Sequence, residues 1–203
     1  MTIFELIDDG DAEGVRELLA RDPGAAAARD EQGLSALMRA FYRGGGEVLE
    51  AIRAADPPLD GWDRILVGEP DGLPAPDARS PDGFTPLHIA AFAHNAGATR
   101  ALLAAGADAN ELATASFALV TPLGTAATFG AVEIVNLLLG HGADTERTSD
   151  HGHTPLHAAA ANGNRAIVEL LLVHGANAAA VTADGRTPAD LAANDEIRAL
   201  LTA

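Results

Sequence analysis

Short apolar runs at helical spacing recur along most of the chain, and each run ends at a glycine-rich turn. In RAIVELLL, residues 165–172, apolar side chains fall three and four positions apart. An Ala-rich run at 155–162 precedes it, and Gly163 separates the two. The same order recurs around Gly130, which AVEIVNLLL follows. Because glycine interrupts helices, the pattern predicts pairs of short antiparallel helices.

A four-residue motif marks the start of each predicted pair. TPLH occurs at 85–88 and 154–157, TPLG at 121–124 and TPAD at 187–190, so successive copies begin 36, 33 and 33 residues apart. A weaker copy, SALM, lies at 35–38. One helix pair buries too little apolar surface to fold alone, so neighbouring pairs must stack. The repeat therefore predicts a solenoid.

Each copy of the motif carries residues that suit the start of a helix. A threonine hydroxyl caps the first backbone N–H groups, and a proline at the first helical position sacrifices no hydrogen bond. We therefore assign a structural role to these threonines and prolines: Thr85, Pro86, Thr121, Pro122, Thr154, Pro155, Thr187 and Pro188.

The 33-residue period, the TPLH motif, the glycine before the second helix and the LLL…GAD ending resemble the ankyrin repeat. The resemblance is specific over 82–193 and weaker over the first 55 residues. It implies an all-α solenoid of about six stacked helix-turn-helix units, with divergent caps and β-hairpin fingers. It also implies that His88 and His157 tie the turn through hydrogen bonds to neighbouring backbone and to the threonine hydroxyl. Gly124 departs from the pattern, which should loosen that tie.

We interpret residues 1–203 as a single ankyrin-repeat domain. Its predicted parts are an N-terminal cap at 1–31, a divergent unit at 32–56, an insertion or degraded unit at 57–81, repeats at 82–117, 118–150 and 151–183, and a C-terminal cap at 184–203. The proline-rich 57–81 segment fits a flexible excursion or a degraded unit with one short helix near 60–67, and we favour the second. Trp62 then packs over the missing helix or contacts a partner.

Composition agrees with an all-α array. The chain is 48% hydrophobic but only 4% aromatic, so Ala, Leu, Val and Ile must form the core. A formal charge of −16 disfavours nucleic acid and membranes as partners and favours a basic or neutral protein, although it also keeps an exposed array soluble. With no cysteine, the chain has neither disulfides nor thiolate sites.

The N-terminal residues lack the basic and apolar regions of a signal peptide, and no stretch of about 20 apolar residues follows. We therefore expect a cytoplasmic protein, acting as a monomer. The bias toward Ala, Arg, Asp and Gly favours a bacterial source with a GC-rich genome.

Candidate chemistry is sparse. The chain has no GxSxG, P-loop or HExxH motif, and the glycines at 44–46 follow a predicted helix rather than a strand. His151 and His153, beside Asp150, share one face of an extended finger, but a metal needs three or four convergent ligands. We predict no catalytic residue, cofactor or metal. His94 replaces the usual glycine between helices, which predicts left-handed backbone there.

The resemblance implies that the fingers and first helices line a concave face that holds a partner protein. The predicted partner-binding residues are the positions that vary within the family: Phe84, Phe92, Phe117, Val120, Thr128, Phe129, Asp150, His151, His153, Asn162, Asp184 and Arg186. Exposed aromatic residues on one face are typical of binding hot spots. The alternative is that these phenylalanines pack against adjacent finger stems.

Together these features predict a non-catalytic scaffold for protein–protein interaction. Three alternatives stay open: an acidic accessory or immunity-type factor that neutralises a basic protein, a small-molecule-binding or enzyme subunit, and a structural spacer.

Overall fold

A computed structural model describes residues 1–69, 71–115 and 119–202 of the chain. Its described part contains twelve α-helices and no sheet, with a β-bridge between Arg29 and Ser35. The elements are α1 (Ile3–Asp9), α2 (Ala12–Arg21), a 3₁₀ turn (Pro23–Ala27), α3 (Ala36–Tyr42), α4 (Gly46–Ala54), α5 (Gly61–Val67), α6 (Pro86–Phe92), α7 (Ala96–Ala104), α8 (Pro122–Phe129), α9 (Val132–Gly140), α10 (Pro155–Asn162), α11 (Arg165–Val173) and α12 (Asp195–Thr202).

The helices pack as successive antiparallel pairs. The pairs are α1 with α2, α3 with α4, α6 with α7, α8 with α9, and α10 with α11. First helices stack in one row, in which α8 lies between α6 and α10, and second helices stack in another, in which α9 lies between α7 and α11. The predicted all-α solenoid is confirmed.

The TPLH motif starts a helix through reciprocal hydrogen bonds. The Thr154 hydroxyl accepts a hydrogen bond from the backbone N–H of His157, and the Thr154 N–H donates to Nδ1 of His157. Pro155 occupies the first helical turn, where its missing N–H is not needed. After α10, Gly163 adopts φ of 76°, a left-handed conformation that ends the helix and favours glycine. Sequence-local chemistry thus determines both ends of α10.

Four of the fingers are single turns rather than extended hairpins. In these turns, at 30–34, 80–84, 149–153 and 182–186, the N–H of the first residue donates to the carbonyl of the fifth. In the finger before α8, the N–H of Ala113 instead donates to the carbonyl of Val120. Neighbouring fingers are joined where the N–H of Ala183 donates to the carbonyl of His151. These turns hold the finger tips beside the first helices.

A short helix, α5, lies in the proline-rich segment, and no described helix follows it before α6. Trp62 is half-buried against the main core. The Asp63 side chain is only 3% exposed, and its Oδ1 accepts a hydrogen bond of 2.5 Å from the Ser35 hydroxyl. Burial raises the pKa of Asp63. α5 therefore joins α3 to α6 while the row of second helices is interrupted.

The TPAD copy at 187–190 starts a single turn rather than a full helix, although the Thr187 hydroxyl still accepts a hydrogen bond from the N–H of Asp190. Residues 188–191 form a turn in which Asp190 accepts hydrogen bonds from the N–H and hydroxyl of Thr187. Pro188 is separated from the next helix, α12, by fewer residues than Pro155 is from α11. That interval is too short for two helical turns and a reversal of direction.

The core consists almost entirely of Ala, Leu, Ile and Val, as the composition predicted. It forms two clusters of buried residues, one within α1–α4 and a larger one reaching from Met38 of α3 through α5 to α12. None of the helices in the described ranges is long and apolar enough to cross a membrane.

Candidate binding groove

A groove of about 500 Å³ lies between the fingers and the first helices. We call it the aromatic groove. Its walls come from several stacked units, because α3, α6, α8 and three fingers all contribute. The lining residues are Tyr42, Phe84, His88, Ile89, Phe92, Leu119, Val120, Thr125, Thr128, Phe129, Ser149 and Asp150.

A row of aromatic rings connects the units along the groove. The Phe92 ring meets the Phe129 ring edge to face, with centroids 4.4 Å apart, and meets Phe41 in the same way at 5.0 Å. Tyr42 also lies against Phe92, at 5.5 Å. Despite these contacts Phe129 remains 45% exposed, as does Leu119. The chain thus leaves large apolar side chains open to solvent here.

His88 forms part of the groove wall and links two units. Its Nδ1 accepts from the N–H of Thr85, which places the ring proton on Nε2, 2.8 Å from the carbonyl oxygen of Val120. Burial lowers the pKa of His88 to about 4, so the ring is neutral at physiological pH. His157 makes the corresponding bond to the carbonyl of Arg186, at 3.1 Å, and burial lowers its pKa as well.

Gly124 stands where these two units have a histidine. Thr121 still caps α8, because its hydroxyl accepts from the N–H of Gly124 at 3.0 Å. Without an imidazole, however, no side chain from that position reaches the next finger. The cap therefore survives while the link between units is lost.

The serine and threonine hydroxyl groups in the groove bond within the chain. The Thr125 hydroxyl donates to the Thr121 carbonyl, and the Thr128 hydroxyl donates to the Gly124 carbonyl. Ser149 accepts from the N–H of His153. The interior consequently presents apolar surface and few groups able to bind a polar ligand.

Carboxylates lie at both ends of the groove. At one end Asp150 lines it, with its Oδ1 3.0 Å from Nδ1 of His151. At the other, burial raises the pKa of Tyr42, and the nearby negative charge of Asp82 raises it further. Asp82 accepts a hydrogen bond from the Ser80 hydroxyl. In the described part of the chain, neither carboxylate pairs with an arginine.

The structure brings together half of the predicted partner-binding residues. Those that line the groove are Phe84, Phe92, Val120, Thr128, Phe129 and Asp150. The others described lie outside it: His151, His153, Asn162, Asp184 and Arg186. Phe117 falls outside the described residues.

Several of the residues outside the groove have contacts within the chain. The His153 ring packs edge to face on His157, and the Asn162 amide donates to the Thr128 carbonyl. Arg186 forms an ion pair of 2.7 Å with Asp184. Among the described residues no group of His, Cys, Asp or Glu is arranged to hold a metal.

Tyr42 and Leu119 line the groove but were not singled out from the sequence. Tyr42 lies in the divergent second unit, where SALM replaces TPLH. Aligning Ser35 with Thr85 places Tyr42 at the position of Phe92. The alignment of the weak SALM copy with TPLH could therefore have predicted Tyr42 as a groove residue. Leu119 belongs to a finger whose length differs from the others, and the repeat therefore offers no equivalent position.

A family model describing ankyrin repeats in three copies matches residues 64–149 and, in a second overlapping match, residues 123–202. The two matches together span well over half of the chain. The chain belongs to the ankyrin-repeat family. No curated protein matches it significantly. Ankyrin repeats are generally protein–protein interaction modules and are typically not enzymes.

Proposed function

We propose that this ankyrin-repeat protein is a non-catalytic scaffold that holds a partner protein in the aromatic groove, on the concave face. The observation that carries the proposal is the cluster of solvent-open apolar side chains, Phe129 and Leu119, beside the half-buried ring of Phe92. Solvated apolar clusters of this kind mark interaction surfaces, and aromatic residues dominate the binding energy of such interfaces.

A protein partner suits the groove better than a small metabolite. Small-molecule sites place a few convergent polar groups to orient their ligand. Here His88, Thr125 and Thr128 direct their hydrogen bonds into the chain itself. A partner side chain needs only apolar contact, because its own backbone determines its orientation.

The proposal includes a monomer acting in the cytoplasm of a bacterium, as composition favours. Nucleic acid and anionic membranes are disfavoured as partners by the charge of −16. Of the alternatives, neutralisation of a basic protein has a specific observation in its favour. Apart from Arg21 and Arg147, the arginines form ion pairs with carboxylates of the described residues, so the surplus negative charge is unopposed.

Capture of the partner by a groove variant tests the proposal. Phe129→Ala removes an exposed ring and should cost less than about 1.5 kcal/mol of stability through its edge contact with Phe92. It should weaken partner binding by about tenfold or more. Val173→Ala is the matched control, because Val173 is 83% exposed and lies outside the groove.

Affinity-tagged wild-type and variant proteins would be compared for capture from the native source, with far-UV circular dichroism to verify folding. Selective loss with Phe129→Ala supports the groove as the binding surface. Equal capture by both variants would refute it. A metabolite held in the groove in native mass spectrometry, with no captured protein, would favour the small-molecule alternative.

A further inference from the structure

The aromatic groove is elongated along the direction in which the units stack. Tyr42 comes from α3, Phe92 from α6, Phe129 from α8, and Asp150 from the finger before α10. An occupant that uses the whole groove must therefore extend past several units. An extended polypeptide has this shape, and its side chains alternate between the groove and solvent.

The centre of the groove favours a large apolar side chain of the occupant. Phe92 and Phe129 form an edge-to-face pair that leaves the Phe129 ring 45% exposed, with Leu119 equally open. The Thr125 and Thr128 hydroxyls beside them donate hydrogen bonds to backbone carbonyls within the chain. Burying a Leu, Phe or Trp side chain against this surface is favourable, whereas an inserted polar side chain would lose its hydrogen bonds to water.

The carboxylates at the ends of the groove favour an occupant with positive charge at both of its ends. Asp150 lines one end, and Asp82 lies beside Tyr42 at the other. Near Tyr42, Arg39 already forms ion pairs with Asp8 and Asp30, and Arg43 forms one with Asp8. The Tyr42 end therefore offers no unpaired arginine to an acidic occupant, and the overall charge of −16 repels one.

The distance between the two carboxylates determines how far apart the basic residues of the occupant must lie. Asp82 and Asp150 belong to fingers two units apart, with the finger before α8 between them. Packed helices lie about 8–10 Å apart, so the two fingers are separated by about 20 Å. An extended chain covers about 3.3 Å per residue and needs roughly six residues for that distance.

We propose that the aromatic groove binds an extended segment of the partner in which one large apolar residue is flanked on each side, two or four residues away, by Arg or Lys, so that all three side chains face the groove. The inference rests on the proposed function and specifies the chemistry of its partner. The apolar residue inserts beside Phe92 and Phe129, and the flanking cations pair with Asp82 and Asp150.

Selection from a display library of random peptides, each about nine residues long, on the immobilised protein tests this chemistry. The expected outcome is enrichment of sequences with a central Leu, Phe or Trp and with Arg or Lys two or four positions to either side. Enrichment of acidic peptides, enrichment without an apolar centre, or no enrichment at all would overturn the inference.

Variants separate the two parts of the recognition. Asp82→Asn with Asp150→Asn should abolish the preference for basic flanks and weaken binding of the best peptide about three- to tenfold, because each exposed pair contributes modestly. Asp71→Asn with Asp77→Asn removes the same charge outside the groove lining and should have little effect. Phe129→Ala should remove the preference for a large central residue. An equal loss of affinity in both double variants would show that only overall charge matters.

Failure of this inference is distinguishable from failure of the proposed function. If no peptide is enriched while Phe129→Ala still abolishes capture of a folded partner protein, the groove binds protein through a different chemistry. If capture is insensitive to Phe129→Ala, the proposed function fails whatever peptides are selected.

Discussion

The buried imidazole of His88 connects two units and also lines the groove. Its Nε2 bonds to the carbonyl of Val120, so the ring must remain uncharged inside the protein. Burial lowers its pKa from 6.5 to about 4. Between these values the unfolded chain binds more protons than the folded one, and stability therefore rises with pH.

We predict that the free energy of unfolding falls as pH is lowered from about 7 toward 4, with His88 contributing roughly 2–3 kcal/mol. His88→Asn should be less stable at neutral pH but should lose less stability on acidification. Leu87→Ala provides a control, because it removes a buried side chain and retains the imidazole. Denaturant unfolding at a series of pH values measures the slopes. Identical slopes in wild type and His88→Asn would contradict the assignment.

At the level of elements, the turn between α6 and α7 differs from its equivalents. His94 adopts φ of 53°, as predicted, whereas glycine fills the same position at Gly130 and Gly163. A side chain in left-handed backbone costs about 1–2 kcal/mol, and part of this is offset because glycine is more flexible when unfolded.

We expect His94→Gly to stabilise the protein by about 0.5–1 kcal/mol, since the exposed imidazole contributes little packing. The reciprocal change, Gly130→Ala, should destabilise it by about 1 kcal/mol. An added Cβ there meets no atom closer than 3.5 Å, so the loss would come from backbone strain alone. Thermal unfolding of both variants measures these effects. Destabilisation by His94→Gly would show that the left-handed backbone at His94 is not strained.

The start of a helix could be predicted from the sequence where the residues that cap it lie close together in the chain. Thr85, Pro86 and His88 act on one another within four residues, so the motif predicted the start of α6. The Ser35–Asp63 hydrogen bond joins residues far apart in sequence, and no short pattern indicates it. The groove was predicted in part: Phe92 and Phe129 follow from the repeat, but their exposure depends on how neighbouring rings pack.

At the level of the whole molecule, α5 is the weak point of the array. The buried residues divide into two clusters near this position. In the row of second helices, α4 packs on α2 while α7 packs on α9. Since each unit in a solenoid is stabilised by its neighbours, an interrupted row should uncouple the two sides.

We therefore predict that α1–α4 exchange their amide hydrogens as a separate block, faster than α8–α10. Ser35→Ala removes both the cap of α3 and the hydrogen bond to buried Asp63, at a cost of about 1–3 kcal/mol. It should accelerate exchange in α1–α4 about tenfold and leave α8–α10 unchanged. Thr154→Ala, a cap substitution in α10, should show the opposite distribution. Uniform acceleration in either variant would show that the array unfolds as one unit.

Site-specific photo-cross-linking tests directly whether the aromatic groove is where this solenoid contacts its partner. A benzophenone amino acid would replace Phe129 in the groove or, separately, Val173 on the exposed end of α11. We predict a discrete cross-linked protein from position 129 in the native source and none from position 173. Cross-links of equal yield from both positions, or from position 173 alone, would contradict it.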